Sequence, residues 1–208
     1  MSVRRRGVVL GLVLAAGGAP PAGRMETPCF DLSQPVTKSL VEAPVGASPG
    51  DQGDAGETQD GRVWARLRGR VAKPIERVLA MLQDHQLMRD PSIDDLTVER
   101  RERGPHLARL RVHSVVKPFL VGRVEWTDEW AYTLVAGTPE APRTIVVAYQ
   151  KIAGTRAIAH FCGNVVLRRL DAATTEVYQY EEAKITGRSP QEQAASLVSL
   201  LTLLRTTP

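Results

Sequence analysis

The chain has 208 residues, enough for one domain with a substantial core. With 43% hydrophobic and 24% charged residues it is composed like a globular protein and unlike a disordered one. Its formal net charge of +4 includes three arginines within the first six residues, so the remainder lacks the basic excess of a nucleic-acid binder.

Residues 1–23 have the layout of a secretory signal peptide. "MSVRRR" is a basic start, "GVVLGLVLAAGGA" a short apolar run, and small residues and prolines follow. The run is short for a membrane span, and no cysteine follows it to carry a lipid. The expected location is therefore the periplasm or the extracellular space. The alternative is initiation at Met25.

Residues 24–60 read as a flexible acidic tether. They are rich in Pro, Gly, Asp and Glu, and "EAPVGASPGDQGDAGETQDG" has almost no large apolar side chain to offset the entropy of ordering. Seven acids against Lys38 give residues 25–60 a charge of −6, which leaves +6 for residues 61–208. A basic domain behind an acidic tether can contact an anionic membrane surface, with an ordinary solvated surface as the other reading. Cys29 and Cys162 are the only cysteines, and an exported chain can oxidise them to one bridge. No Cys/His spacing marks a metal site, so no metal and no cofactor is expected.

The domain, residues 61–208, opens with "RVWARLRGRVA", in which Val63, Ala65 and Leu67 alternate with Trp64, Arg66 and Arg68 as in a strand. Residues 71–93 then read as a helical segment. Pro74 suits a first turn, and Ile75, Val78, Leu79 and Leu82 form a stripe. Strand patterns fill most of the chain from "DDLTVERRE" to "TEVYQYEEAKIT", separated by short turns, and imply one antiparallel, strongly curved sheet. In "HLARLRVHSVV", Ala108, Leu110, Val112 and Ser114 share one face, and Arg109, Arg111 and His113 the other. The chain closes with "SPQEQAASLVSLLTLLRT". Ser189, Pro190 and Glu192 form a helix start, and Ala194, Leu197, Val198, Leu201 and Leu204 a stripe that needs an apolar surface. The fold class is thus α+β, a helix-grip arrangement in which 6–7 strands wrap a long C-terminal helix and a short helix follows the first strand.

Over roughly residues 62–206 the sequence resembles the SRPBCC superfamily, which includes START lipid-transfer domains, polyketide cyclase/dehydrase-like proteins and birch-pollen-allergen relatives. The resemblance lies in "RGRVAKPIERVLAMLQDHQLMRDPSIDDLTVERR", in "GNVVLRRLDAATTEVYQYEEAKI" and in the closing amphipathic helix. It implies an apolar cavity between sheet and C-terminal helix, with a lipid or other apolar small molecule as partner. A cyclase-like enzyme and a non-catalytic interaction module are the alternatives.

Several inward positions are small (Ala108, Ser114, Ala157, Ala159, Gly163), which leaves volume for a ligand. The expected lining is Leu110, Val112, Ser114, Ala159, Phe161, Leu197 and Leu201. Gln179 and Glu181, on one face of the last strand with Val177, are the expected polar contacts, and Arg123 is the expected partner of Glu181. Trp126 and Trp130 share a phase that suits core packing, with a cavity rim as the alternative. His85 is read as a helix-end residue that caps the helix or faces solvent, His106 as a turn residue, His113 as outward-facing, and His160 as lying opposite Ala159 and Phe161. No catalytic motif occurs: there is no G-x-S-x-G, HExxH, P-loop or dinucleotide fingerprint.

Overall fold

The structure is a computed structural model that describes residues 28–40, 50–117 and 122–208. The expected leader, residues 1–23, lies outside the described residues, as do residues 24–27 and 41–49 of the expected tether.

Among the described residues, eight strands form one curved antiparallel sheet: β1 (Gln52–Glu57), β2 (Val63–Val71), β3 (Asp95–Arg101), β4 (Ala108–Val116), β5 (Val124–Gly137), β6 (Pro142–Gly154), β7 (Ile158–Arg169) and β8 (Thr175–Ile185). Helix α1 (Ile75–Gln83) follows β2 and helix α2 (Pro190–Thr206) closes the chain. The sheet order is β1-β2-β8-β7-β6-β5-β4-β3. Strands β3 to β8 are a meander whose last strand returns to pair with β2, Val63 opposite Ala183 through Val71 opposite Thr175. The short turns of the sequence require this adjacency. The two helices cover one face of the sheet: α2 lies on β1, β2 and β8, and α1 on β6 and β7.

Three expectations are revised. First, the sheet has eight strands, because residues 52–57, assigned to the tether, form β1. "QGDAGE" carries no apolar face, so periodicity cannot reveal it. It is held by a full ladder to β2 and by Arg66, whose Nε and Nη2 donate to Asp54 at 2.5 and 2.8 Å. Second, α1 spans nine residues and stops before Asp84, whose φ of −92° and ψ of 84° are not helical and whose Oδ1 accepts from Leu87 N at 3.1 Å. Pro74 is its N-cap, and Met81 joins Ile75, Val78 and Leu82 in the buried stripe. Third, α2 buries Gln193, Leu197, Leu201 and Leu204, while Val198 is 52% exposed. The expected Ser189–Glu192 capping box is present.

The core lies between the inner face of the sheet and the helices. Leu67, Val71, Leu110, Ile145, Val147, Leu167 and Val177 meet Val78 and Leu82 of α1 and Leu197, Leu201 and Leu204 of α2. The outer face is covered too, by residues 28–40. This arm is also part of the expected tether, and here it is packed. Phe30, Leu32 and Val36 rest on Ala131 and Ala148. Gln150 holds Phe30 by both backbone groups, at 2.9 Å each. Asn164 Oδ1 accepts from Leu40 N at 3.0 Å, and Cys29 is bonded to Cys162 on β7. The disulfide, which the sequence left open, ties the arm to the sheet.

Candidate functional site

A row of side chains crosses the inner face of the sheet. The register sets Leu110 opposite Trp130, Trp130 opposite Tyr149, Tyr149 opposite Gly163, and Gly163 opposite Glu181. The rings of Trp130 and Tyr149 stack with centroids 4.2 Å apart, and Phe161 lies 5.6 Å from Tyr149. Tyr149 then extends across Gly163 and donates from its hydroxyl to Glu181 Oε2 at 2.7 Å. The side-chain amide of Gln193, on α2, donates to Glu181 Oε1. Glu181 therefore ties the sheet to the C-terminal helix.

Gly163 does not leave open volume, as the sequence suggested. A Cβ there would meet Tyr149 Oη at 2.5 Å and the Tyr180 carbonyl at 2.6 Å. Gly163→Ala is expected to displace Tyr149 from Glu181 and cost about 1–3 kcal/mol. Urea denaturation measures this, and an unchanged midpoint would contradict the placement of Tyr149.

A second carboxyl shares this interior. Asp128 follows Trp126 and precedes Trp130 on the inner phase of β5. It is buried, and its Oδ2 accepts from Trp126 Nε1 at 2.9 Å. Burial pushes its pKa up to about 7, and the charge of Glu181 adds to the rise. Burial likewise raises Glu181, against the bonds from Tyr149 and Gln193 and the charge of Arg188. Lys151, on the neighbouring strand, is lowered by burial and held up by Asp128. A carboxyl raised as far as Asp128 can exist protonated near neutral pH and so either donate or accept.

Three buried polar atoms here have no hydrogen-bond partner among the described residues: Asp128 Oδ1, Trp130 Nε1 and Gln179 Oε1. The amide nitrogen of Gln179 is used, donating to the Leu197 carbonyl of α2 at 3.4 Å. An unsatisfied buried polar atom costs about 1–3 kcal/mol, so three on one inner face call for a partner that brings its own donors and acceptors.

Most of the residues expected as ligand contacts are brought together in one interior. Leu110, Val112, Ser114, Gln179, Glu181, Leu197 and Leu201 are buried on or against the inner face, and Phe161 is half-buried beside Tyr149. Two residues do not join them. Ala159 is exposed, because a bulge between Ile158 and His160 breaks the alternation of β7. Arg123 precedes β5, is exposed, and pairs with Glu125 at 2.7 Å, so it does not partner Glu181. Both tryptophans pack inward, Trp130 with the main core and Trp126 with Val116, Val124 and Ile158.

Of the four histidines, His85 departs from expectation. His85 is buried edge-on against Trp130, with Nε2 3.3 Å from Tyr132 Oη, and burial lowers its pKa to about 4. His106 is buried between Thr133 and the Leu32 carbonyl of the arm, at 2.9 and 3.0 Å. His113 faces away from the core and contacts Thr127 at 3.1 Å. His160 lies on the outer face, as its phase implies, and is buried beside the disulfide. Sequence reasoning missed Asp128, Tyr149 and Gln193. The signal for Asp128 was present, a carboxylate in phase with two inward tryptophans.

No family model and no curated protein matches the sequence. Solved structures do match. The chain is similar to a STAR-related lipid transfer protein from Xanthomonas axonopodis, with a TM-score of 0.55 and 16% identity over 78% of this chain and 95% of that one. It is also similar to the lipid transfer and protein localization domain of human StarD13, with a TM-score of 0.53 and 9% identity over 78% and 88% of the two chains. The curved sheet, the early short helix and the closing helix over the inner face are therefore a START-like fold.

Proposed function

We propose that the chain binds one apolar small molecule or lipid between the inner face of the sheet and α2. The observation that carries this reading is the set of unpartnered polar atoms (Asp128 Oδ1, Trp130 Nε1, Gln179 Oε1) within an otherwise apolar, aromatic interior. Gln179 Oε1 accepts, Trp130 Nε1 donates and Asp128 Oδ1 does either according to its protonation, which suits a ligand with a hydroxyl or a similar donor–acceptor group on a hydrocarbon body. Burial of the body supplies affinity, and the polar group sets orientation. The similar structures named for lipid transfer support the same reading.

The test is displacement of a naphthylamine dye by a long-chain alcohol and by the alkane of equal length. One added buried hydrogen bond contributes about 1 kcal/mol, so the alcohol is expected to compete several-fold better. Gln179→Leu is expected to reduce that preference while dye binding persists. Absence of dye uptake, or equal competition by alcohol and alkane, would overturn the reading.

A second reading is cyclase-like acid–base catalysis, favoured by one observation: Asp128 is raised to about 7, where a group can both give and take a proton. Turnover of a polyketide-like substrate that falls with Asp128→Asn would support it.

We also place the protein outside the cytoplasm. The leader-like N-terminus and the Cys29–Cys162 bond both support export. The positive charge of residues 61–208 would then favour approach to an anionic membrane surface, the expected source of ligand.

A further inference from the structure

We propose that Cys29, Cys162, His160 and Glu182 form a second site, on the outer face of the sheet, which takes one zinc-class divalent ion when the disulfide is reduced. One donor atom from each of these residues lies within 4.8 Å of all the others. Two thiolates, an imidazole and a carboxylate are a donor set for tetrahedral zinc.

The geometry is already close to that of a coordination shell. Around a tetrahedral ion with bonds of about 2.0–2.3 Å, donor atoms stand roughly 3.3–3.8 Å apart. Four of the six separations fall there. His160 Nε2 is 3.4 Å from Cys29 Sγ and 3.5 Å from Cys162 Sγ, and Glu182 Oε1 is 3.8 Å and 3.6 Å from the same sulfurs. The fifth, His160 Nε2 to Glu182 Oε1, is 2.9 Å and opens by a few tenths of an ångström. The sixth is the sulfur–sulfur bond itself, which reduction releases.

The surroundings suit an ion. His160 and Cys162 are buried, and Cys29 brings the arm against them. Tyr180 donates to Glu182 Oε2 at 2.8 Å and Arg62 to Oε1 at 2.9 Å, which orients the carboxylate. Two thiolates and one carboxylate around a divalent ion leave one negative charge, and Arg62 lies against it. The 133-residue separation of the cysteines explains why no spacing motif announced the site.

The chemistry balances with a dithiol reductant. It is oxidised to its own disulfide while its two electrons and two protons pass to Cys29 and Cys162. The incoming ion then displaces both thiol protons. Disulfide and metal are thus alternative clasps that hold the arm to β7.

The full chain is reduced with dithiothreitol, desalted without air and titrated with cobalt(II). One ion per chain is expected, with thiolate-to-cobalt absorption and the visible bands of a tetrahedral site, both abolished by zinc and absent from the oxidised chain. His160→Ala and Glu182→Gln, first folded in their oxidised form, are each expected to weaken binding at least about tenfold. No thiolate band at one equivalent would overturn the site. So would binding that neither substitution weakens, since two cysteines alone would then be the ligands.

Discussion

Asp128→Asn is expected to make the protein more stable than its parent at pH 8 by about 2–4 kcal/mol, and to change it little at pH 4. The sign follows from the raised carboxyl. Burial holds Asp128 near 7 in the folded chain, against 3.8 as the ordinary value. The folded state therefore keeps a proton that the unfolded state releases. Stabilisation is full below about pH 4 and is lost as pH rises through 7, where folding must bury a charge. Asparagine has nearly the same shape, can still accept from Trp126 Nε1, and never ionises. Comparing the two chains by urea denaturation between pH 4 and pH 8 isolates this group from opposing ones such as Glu182, which His160 holds below its ordinary value. A constant difference across that range would contradict a neutral, buried Asp128.

Reduction of Cys29–Cys162 in the presence of a chelator is expected to cost about 2–5 kcal/mol. The bond spans 133 residues, and a closed loop of that size removes much of the entropy of the unfolded chain. The loss should appear first in the arm. Residues 28–40 meet the sheet through a small apolar contact and a few hydrogen bonds, so their amides should lose protection from hydrogen exchange before β6 and β7 do. Oxidised and reduced chains of equal stability, with equal protection of residues 28–40, would contradict a structural role for the bond.

The parts of the molecule that were legible in the sequence are those in which burial alternates cleanly. Ala108, Leu110, Val112 and Ser114 fall on the inner face of β4 because no bulge interrupts that strand. Gln179 and Glu181 are inward because the β2–β8 ladder runs without a bulge; β8 is buried on both faces, and it is their polarity beside Val177 that marks them. Ala159 was misplaced because a bulge shifts the phase of β7 and leaves no trace in composition. β1 was hidden because ion pairs and a ladder, rather than apolar burial, hold it. The arm was hidden because Phe30, Leu32 and Val36 are too few to show a period, and their partners Ala131 and Ala148 lie about a hundred residues away. Tyr149 reaches Glu181 only because a glycine stands between them on the adjacent strand, a relation set by register. The fold was thus readable from local pattern, whereas the polar interior depends on which strands become neighbours.

Whether the interior between sheet and α2 holds a ligand is read by native mass spectrometry of the full chain after incubation with mixed phosphatidylcholine and phosphatidylglycerol vesicles. A single adduct of lipid mass per chain is expected, diminished in Gln179→Leu. An unmodified mass alone, with the same vesicles and with a naphthylamine dye, would contradict it.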